Sequence, residues 1–174
     1  MIRKAEPRDI ETVAEIYERV HDYEEAGTLR IGWQRGVYPT RDTALCALEA
    51  GDLFVMEDEG AVVASARINR VQVPEYTLVP WKYAASDEQV MVLHTLTVDP
   101  DRSGKGYGTR FVQFYEDHAR ANGCPCLRID TNARNDVARH MYAKLGYIES
   151  AIVPCIFNGI DGVNLVCLEK WLGD

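Results

Sequence analysis

The chain opens on a short alternating stretch, Met1 to Ala5, which suits an edge strand. From Pro7 and Asp9 the period changes. Ile10, Val13, Ala14, Tyr17 and Val20 recur at helical intervals and predict a helix to about Tyr23. Gly27 to Pro39 shows no period, and its glycines and aromatics predict a loop or broken helix. Thr40 is a candidate N-cap for a second helix through Leu45 and Leu48, stopped by Gly51. Leu53 to Glu57 and Ala61 to Val71 read as hairpin strands about Asp58-Glu59-Gly60. Residues 74 to 87, with Pro74, Pro80, Trp81 and Tyr83, read as a loop. Val90 to Val98 is an apolar run with β-branched residues, a buried strand that Asp99-Pro100 stops. Helical spacing returns at Phe111, Val112, Tyr115 and Ala119 and ends near Asn122-Gly123. Leu127 to Asp130 is a short strand, and Asn135 to Leu145 a helix closed by Gly146. Tyr147 to Phe157 and Val163 to Trp171 are strands joined by the turn residues Asn158-Gly159-Ile160-Asp161-Gly162.

This order of strands and helices predicts an α/β (α+β) chain, and 174 residues predict a single domain spanning 1–174. A chain of this length buries about 70% of the surface its unfolded state exposes, enough for a real core. A net charge of -8 argues against nucleic acid as a standing partner, because phosphate neutralisation needs clustered Lys and Arg. It suits a cationic substrate, although acidic surfaces mostly serve solubility. No apolar run approaches the roughly 18 residues of a membrane span. Met1-Ile-Arg-Lys-Ala-Glu6 lacks the apolar core of a secretory signal. Five cysteines, with Cys46, Cys155 and Cys167 isolated in apolar contexts, fit reduced thiols in a cytoplasm. Cys124-Pro-Cys126 has no His or Cys cluster to complete a metal site, so no metal is expected.

The chemistry gathers where the apolar run ends. Gly104, Gly106 and Gly108 alternate with Lys105 and Tyr107 between the strand and the next helix. Glycine permits positive φ and close approach of a ligand. The unpaired N–H groups and positive dipole of a helix start then make a phosphate site. A P-loop is excluded, because Gly106 rather than Ser or Thr follows Lys105. The dinucleotide fingerprint is excluded by Thr109.

The remaining pattern resembles the acetyl-CoA loop of the GNAT family, the GCN5-related N-acetyltransferases, [QR]-x-x-G-x-[GA]. Gly106 and Gly108 fill its two small positions, Ser103 stands at the Gln/Arg position, and Arg102 lies one place early. A second segment, Asn135-Asp-Val-Ala138-Arg-His-Met-Tyr142-Ala-Lys144-Leu-Gly146-Tyr147, resembles the family's N-x-x-A-x-x-x-Y-x-K-x-G-[FY] throughout. The order of elements resembles the family's along essentially the whole chain.

The resemblance implies an acyl-CoA N-acyltransferase fold: a mixed, mostly antiparallel sheet of about seven strands flanked by four helices. The central strand and the strand after the glycine helix would splay apart around the pantetheine arm. Amides of Leu96, Thr97, Val98 and of Ser103, Gly104, Lys105, Gly106, Tyr107, Gly108 and Thr109 would hold acetyl-CoA. Asn135, Ala138 and Tyr142 share a helical face that would line its sulfur end. The Leu96 amide would face the thioester carbonyl as charge develops there. Tyr142 would protonate the departing thiolate, since a phenol of pKa about 10 stays protonated beside a thiol of about 8.5.

An amine acceptor must also lose a proton. The Glu often used by the family falls here at Val92, six residues before Val98. His94, on the same strand face, is the candidate base, or else a hydrogen-bonded sheet histidine. Glu24, Glu25 and Glu88 are reserves. Cys124 and Cys126 would lie remote from the thioester, so direct transfer is expected over an acetyl-cysteine route. Trp33, Tyr38, Trp81 and Tyr83, with Arg67, are candidates for the acceptor pocket or for the core. The expected partner is a small-molecule amine, with no nucleic acid and no membrane, and the chain a monomer or homodimer. A non-catalytic acyl-CoA sensor, a protein N-acetyltransferase and an unrelated α/β nucleotide binder stand as alternatives.

Overall fold

A computed structural model describes residues 1–173. Its strands are β1 (Ile2–Lys4), β2 (Leu53–Asp58), β3 (Ala61–Asn69), β4 (Val90–Val98), β5 (Cys126–Asn132), β6 (Ile148–Phe157) and β7 (Ile160–Trp171). Its helices are α1 (Ile10–Glu25), α2 (Arg41–Glu49), α3 (Tyr107–Ala121) and α4 (Asp136–Lys144). The seven strands form one sheet in the order β1-β2-β3-β4-β5-β7-β6. Only β4 and β5 are parallel, because α3 carries the chain back across the sheet between them.

Alternation along β4 assigns its two faces. Met91 and Leu93 point toward α3, where they pack with Phe111, Tyr115, Leu127 and Ile129. Val90 and Val92 point the other way, against Tyr76, Val79, Leu165 and Cys167. Further along that second face, Val13 and Tyr17 of α1 cover Leu53 and Val55 of β2. Each large apolar side chain fully buried in these layers contributes about 1.5–3 kcal/mol. The Tyr115 hydroxyl donates to the Met91 carbonyl at 2.6 Å, tying α3 to the central strand. Lys170 of β7 donates to both Glu116 carboxylate oxygens, at 2.8 and 2.9 Å.

The boundaries depart from expectation in three places. The last hairpin turns on Asn158 and Gly159 alone, at φ 50° and 78°, so β7 starts at Ile160 rather than Val163. Two left-handed residues match the twist of paired strands, and a two-residue loop suffices. β3 stops at Asn69, where the Asn69 side chain accepts from the Val71 N–H at 2.9 Å and turns the chain away. The 74–87 segment is less irregular than a plain loop, with a 3₁₀ turn at Pro74–Leu78 and another at Asp87–Gln89. No helix among the described residues is long and apolar enough to cross a membrane.

Candidate active site

The parallel pairing of β4 with β5 stops at Leu93 and Ile129, although both strands continue. On the other side of β4 the register passes from Arg67↔His94 to Ser65↔Thr97. One extra residue on β4 makes a bulge there, and Thr95 takes φ 53°. The bulge bends β4 away from β5, which stays paired with β7 through Asn132. The result is a cleft of about 890 Å³ lined by both strand ends.

At one end of the cleft sits the glycine-rich turn. Arg19 of α1 grips Asp99 through two hydrogen bonds, at 3.1 and 3.0 Å, and fixes where β4 ends. Gly104 and Gly106 then take φ 82° and 74°. A Cβ at either would meet nothing within 4 Å, so these glycines serve the backbone turn, and the space before them is open. Gly106 caps α3, leaving the first-turn N–H groups of Tyr107, Gly108 and Thr109 free of intrahelical partners. Tyr107 is buried and anchors the turn by donating to Asp58 at 2.5 Å. Gly108 lies under Met141, whose sulfur would be 3.0 Å from an added Cβ. This cradle fits a diphosphate: it offers aligned amide donors, an open approach and a helix dipole of the right sign. Ser103 lines it, whereas Lys105 is exposed and does not line the cleft.

α4 forms the wall next to this turn. Asn135 caps it, its Oδ1 accepting from the Ala138 N–H at 3.1 Å, so this side chain has a structural task as well as a place in the lining. Tyr142 is 4% exposed and lines the cleft. Among the described residues no group hydrogen-bonds its hydroxyl. Burial, and then the charge of Asp130, push its pKa up and keep the phenol protonated.

Of the residues expected to meet the acceptor, the structure brings Trp33, Tyr38, Arg67 and His94 together in the cleft lining. Trp33 and Tyr38 meet edge to face with ring centroids 6.0 Å apart, and the Tyr38 hydroxyl bonds Thr95 at the bulge. Burial pushes Tyr38 up to about 12. Arg67 donates to Asp52 at 3.2 and 3.3 Å.

Trp81 is elsewhere. Its ring packs 4.1 Å from the Arg128 guanidinium carbon, its Nε1 donates to the Tyr76 carbonyl at 3.0 Å, and it does not line the cleft. Buried Glu169 pulls that loop down by accepting from the amides of Lys82 and Tyr83, at 2.6 and 3.2 Å. Glu24 is likewise committed, accepting from the Ile31 and Gly32 amides at 2.6 and 2.9 Å and shaping the loop beside the cleft. Glu25 pairs with Arg35, and Glu88 is exposed in a 3₁₀ turn.

His94 differs from the base expected of it. Its Nε2 lies 3.0 Å from Asn69 Oδ1, and Asn69 Nδ2 donates to Asp52 at 2.9 Å. That orientation makes the amide oxygen the acceptor and His94 Nε2 the proton donor. Burial, followed by the positive charge of Arg67, pushes the imidazole down to about 4. It is neutral at neutral pH and a weak proton acceptor. The residue that sequence reasoning passed over is Asp130, the last residue of its expected short strand, which lines the cleft and accepts from Tyr76 at 2.7 Å. Its one signal in the sequence is a carboxylate closing an apolar strand.

A bulged central strand, a gap where the parallel strands part and a glycine-capped helix at its end are the arrangement that the family resemblance implied. The sequence profile of the Acetyltransferase (GNAT) family matches residues 13–147, and the chain belongs to that family. It is an acetyl-CoA-dependent N-acetyltransferase. The chain is 30% identical over 105 residues to YhfO, an uncharacterised N-acetyltransferase of Bacillus subtilis, covering 59% of this chain and 70% of that one. It is 25% identical over 150 residues to the S-(2-succino)cysteine N-acetyltransferase of the same organism, covering 85% and 84%. Among solved structures, it resembles yncA of Salmonella typhimurium, solved with its cofactor acetyl-CoA. That match has TM-score 0.70 and 20% identity, over 100% of this chain and 94% of the other.

Proposed function

We propose that residues 1–174 act as one catalytic domain that acetylates the primary amine of a small molecule by direct attack within a ternary complex. What carries the reading is the convergence of a phosphate cradle and the unbonded Tyr142 hydroxyl on one cleft between splayed strands. Ser103, Gly104, Gly106, Tyr107, Gly108 and Thr109 would hold the diphosphate, and Leu96, Thr97 and Val98 the pantetheine arm. Acetyl-CoA supplies the activated acetyl group. Leu96, beside the bulge, offers its amide to the carbonyl oxygen. Tyr142 gives its proton to the sulfur as the carbon–sulfur bond breaks. His94 serves this reading as a neutral positioning group rather than as the base.

Two observations favour a small acceptor. The loop at residues 28–33 closes against the end of β5, where a Cβ on Gly32 would lie 2.4 Å from Asn132 Nδ2. Trp33 and Tyr38 narrow the same side. The relative named for S-(2-succino)cysteine also acts on a small amine-bearing molecule. The test is thiol release from acetyl-CoA with a panel of amines, on the wild type and on Tyr142→Phe. The expected result is transfer by the wild type and a loss of about 100-fold or more in the variant, with acetyl-CoA affinity unchanged. Normal turnover by Tyr142→Phe would remove the acid role. Failure of acetyl-CoA to bind at millimolar concentration would remove the whole reading.

A further inference from the structure

One face of the sheet carries three chemically different side chains in a transverse row. Arg67 of β3 pairs with His94 of β4 across the antiparallel ladder. β4 and β5 run parallel and in register up to Leu93 and Ile129, so the next residues, His94 and Asp130, leave the sheet on the same face. All three line the cleft, in the order guanidinium, imidazole, carboxylate. The backbones of the outer two are about two strand spacings apart, roughly 10 Å, and more where the strands part.

The two ends of this row are incompletely matched by the protein. Asp130 receives one hydrogen bond, from Tyr76, and has no Lys or Arg within ion-pair distance among the described residues. The charged group that acts on it most is Glu75, of the same sign. Its remaining titratable neighbours are the phenols of Tyr38 and Tyr142 and the thiols of Cys155 and Cys167, whose ionisation it opposes. Burial pushes Asp130 up to about 6. It is therefore a partly buried carboxylate with no paired cation among the described residues, and a better proton acceptor than an ordinary carboxylate. At the other end, Arg67 spends Nε and Nη2 on one oxygen of Asp52, and Nη1 makes no hydrogen bond among the described residues. Arg30 and Arg134 also line the cleft, but both are exposed.

We propose that the acceptor is a zwitterionic, amino-acid-like molecule whose ammonium docks on Asp130 and whose anionic group pairs with Arg67. This deepens, and rests on, the transferase reading above. Asp130 removes the first proton from the ammonium nitrogen, which frees its electron pair to bond the acetyl carbon. As the carbon–sulfur bond breaks, Tyr142 protonates the sulfur and is itself reprotonated from the new amide nitrogen. The ammonium thus loses two protons: one leaves to solvent through Asp130, and one ends on the released thiol. His94, between the two ends and neutral, adds no competing charge.

The test sets the twenty standard amino acids beside their carboxamides and their decarboxylated amines, with acetyl-CoA and the wild-type protein. The amino acids are expected to exceed their carboxylate-free partners in kcat/KM by at least about 10-fold, and Arg67→Gln to remove that margin. Asp130→Asn is expected to lower kcat/KM by about 100-fold with acetyl-CoA affinity retained. A readout independent of turnover is calorimetric titration of the fastest amino acid of that panel into the protein saturated with CoA. Its binding heat should vanish in Asp130→Asn. Equal use of amino acids and decarboxylated amines, or wild-type kcat/KM in Asp130→Asn, would overturn the proposal. Failure to acetylate any amine while acetyl-CoA still binds would overturn the transferase reading, and this proposal with it.

Discussion

The two halves of the cleft are built in different ways. The donor half is backbone: a bulge at Thr95, positive φ at Gly104 and Gly106, and the free amides that begin α3. The half proposed for the acceptor is side chains: Arg67, His94 and Asp130, brought level by strand register from positions far apart in the chain. Backbone recognition of a constant group depends on a few residues that tolerate unusual dihedrals. Side-chain recognition of a variable group can change with almost any substitution along the row. The first suits a cofactor common to a family, the second an acceptor particular to its member.

Four substitutions would break or sharpen this contrast. The largest effect belongs to Tyr142→Phe, which removes only the hydroxyl and leaves the phosphate cradle and the side chains of Arg67, His94 and Asp130 in place. It should cost about 10²–10⁴ in kcat with unchanged acetyl-CoA affinity, measured by steady-state kinetics and calorimetry. A parallel loss of cofactor affinity would mean that the Tyr142 ring itself shapes the donor half.

The second prediction concerns acid. His94 has a folded pKa of about 4, below its usual 6.5. Between those values the unfolded chain binds the extra proton, so this group's contribution to stability is lost as pH falls from about 6.5 to 4. His94→Gln, which can still donate to Asn69, should therefore lose less melting temperature than the wild type over that range. The difference is on the order of 2 kcal/mol. Identical acid profiles would show that His94 is not desolvated in solution.

The third concerns Asp130, and its sign is opposite. Its folded pKa of about 6 lies above the ordinary 3.8, so a penalty on the folded state builds as pH rises from about 4 to 6 and is complete above that. Below about 4 both states are protonated and no penalty remains. Asp130→Asn should raise stability at pH 8 by about 2 kcal/mol, a gain of several degrees, and the gain should fade on acidification. A variant both more stable and less active would mark Asp130 as a charge retained for binding. A variant destabilised at pH 8 would show that the carboxylate has a structural partner in solution.

The smallest effect is expected from Gly106→Val. A β-branched residue at φ 74° costs about 1–2 kcal/mol of local strain. Acetyl-CoA affinity should drop about 10-fold, while the ranking of acceptors in an amine panel stays as it was. A changed ranking would show that the two halves of the cleft are not separable.

Most of the donor half could be read from the chain, because it is local. The strand, the glycines and the next helix are contiguous, and the Asn135–Tyr142 spacing sets its own helical face. The acceptor half was legible only in fragments. Trp33, Tyr38 and Arg67 do reach the cleft, but Trp81 is drawn off by Arg128 and by the grip of Glu169 on its loop. Aromatic content alone does not tell which ring faces a cavity. His94 was placed correctly on its strand, yet its proton affinity depends on Asn69, Arg67 and burial, none adjacent to it in the chain. Asp130 looked like a strand end until β7 and Tyr76 enclosed it.

The sequence by itself determined the order of elements, the glycine-capped helix and the Tyr142 face, since each follows from dihedral preference and periodicity within one short segment. Only the tertiary structure decided where β4 parts from β5, which side chains share the resulting space, and which carboxylate there lacks a cation. Those depend on strand register and desolvation, and both arise from contacts between residues that the chain order keeps apart.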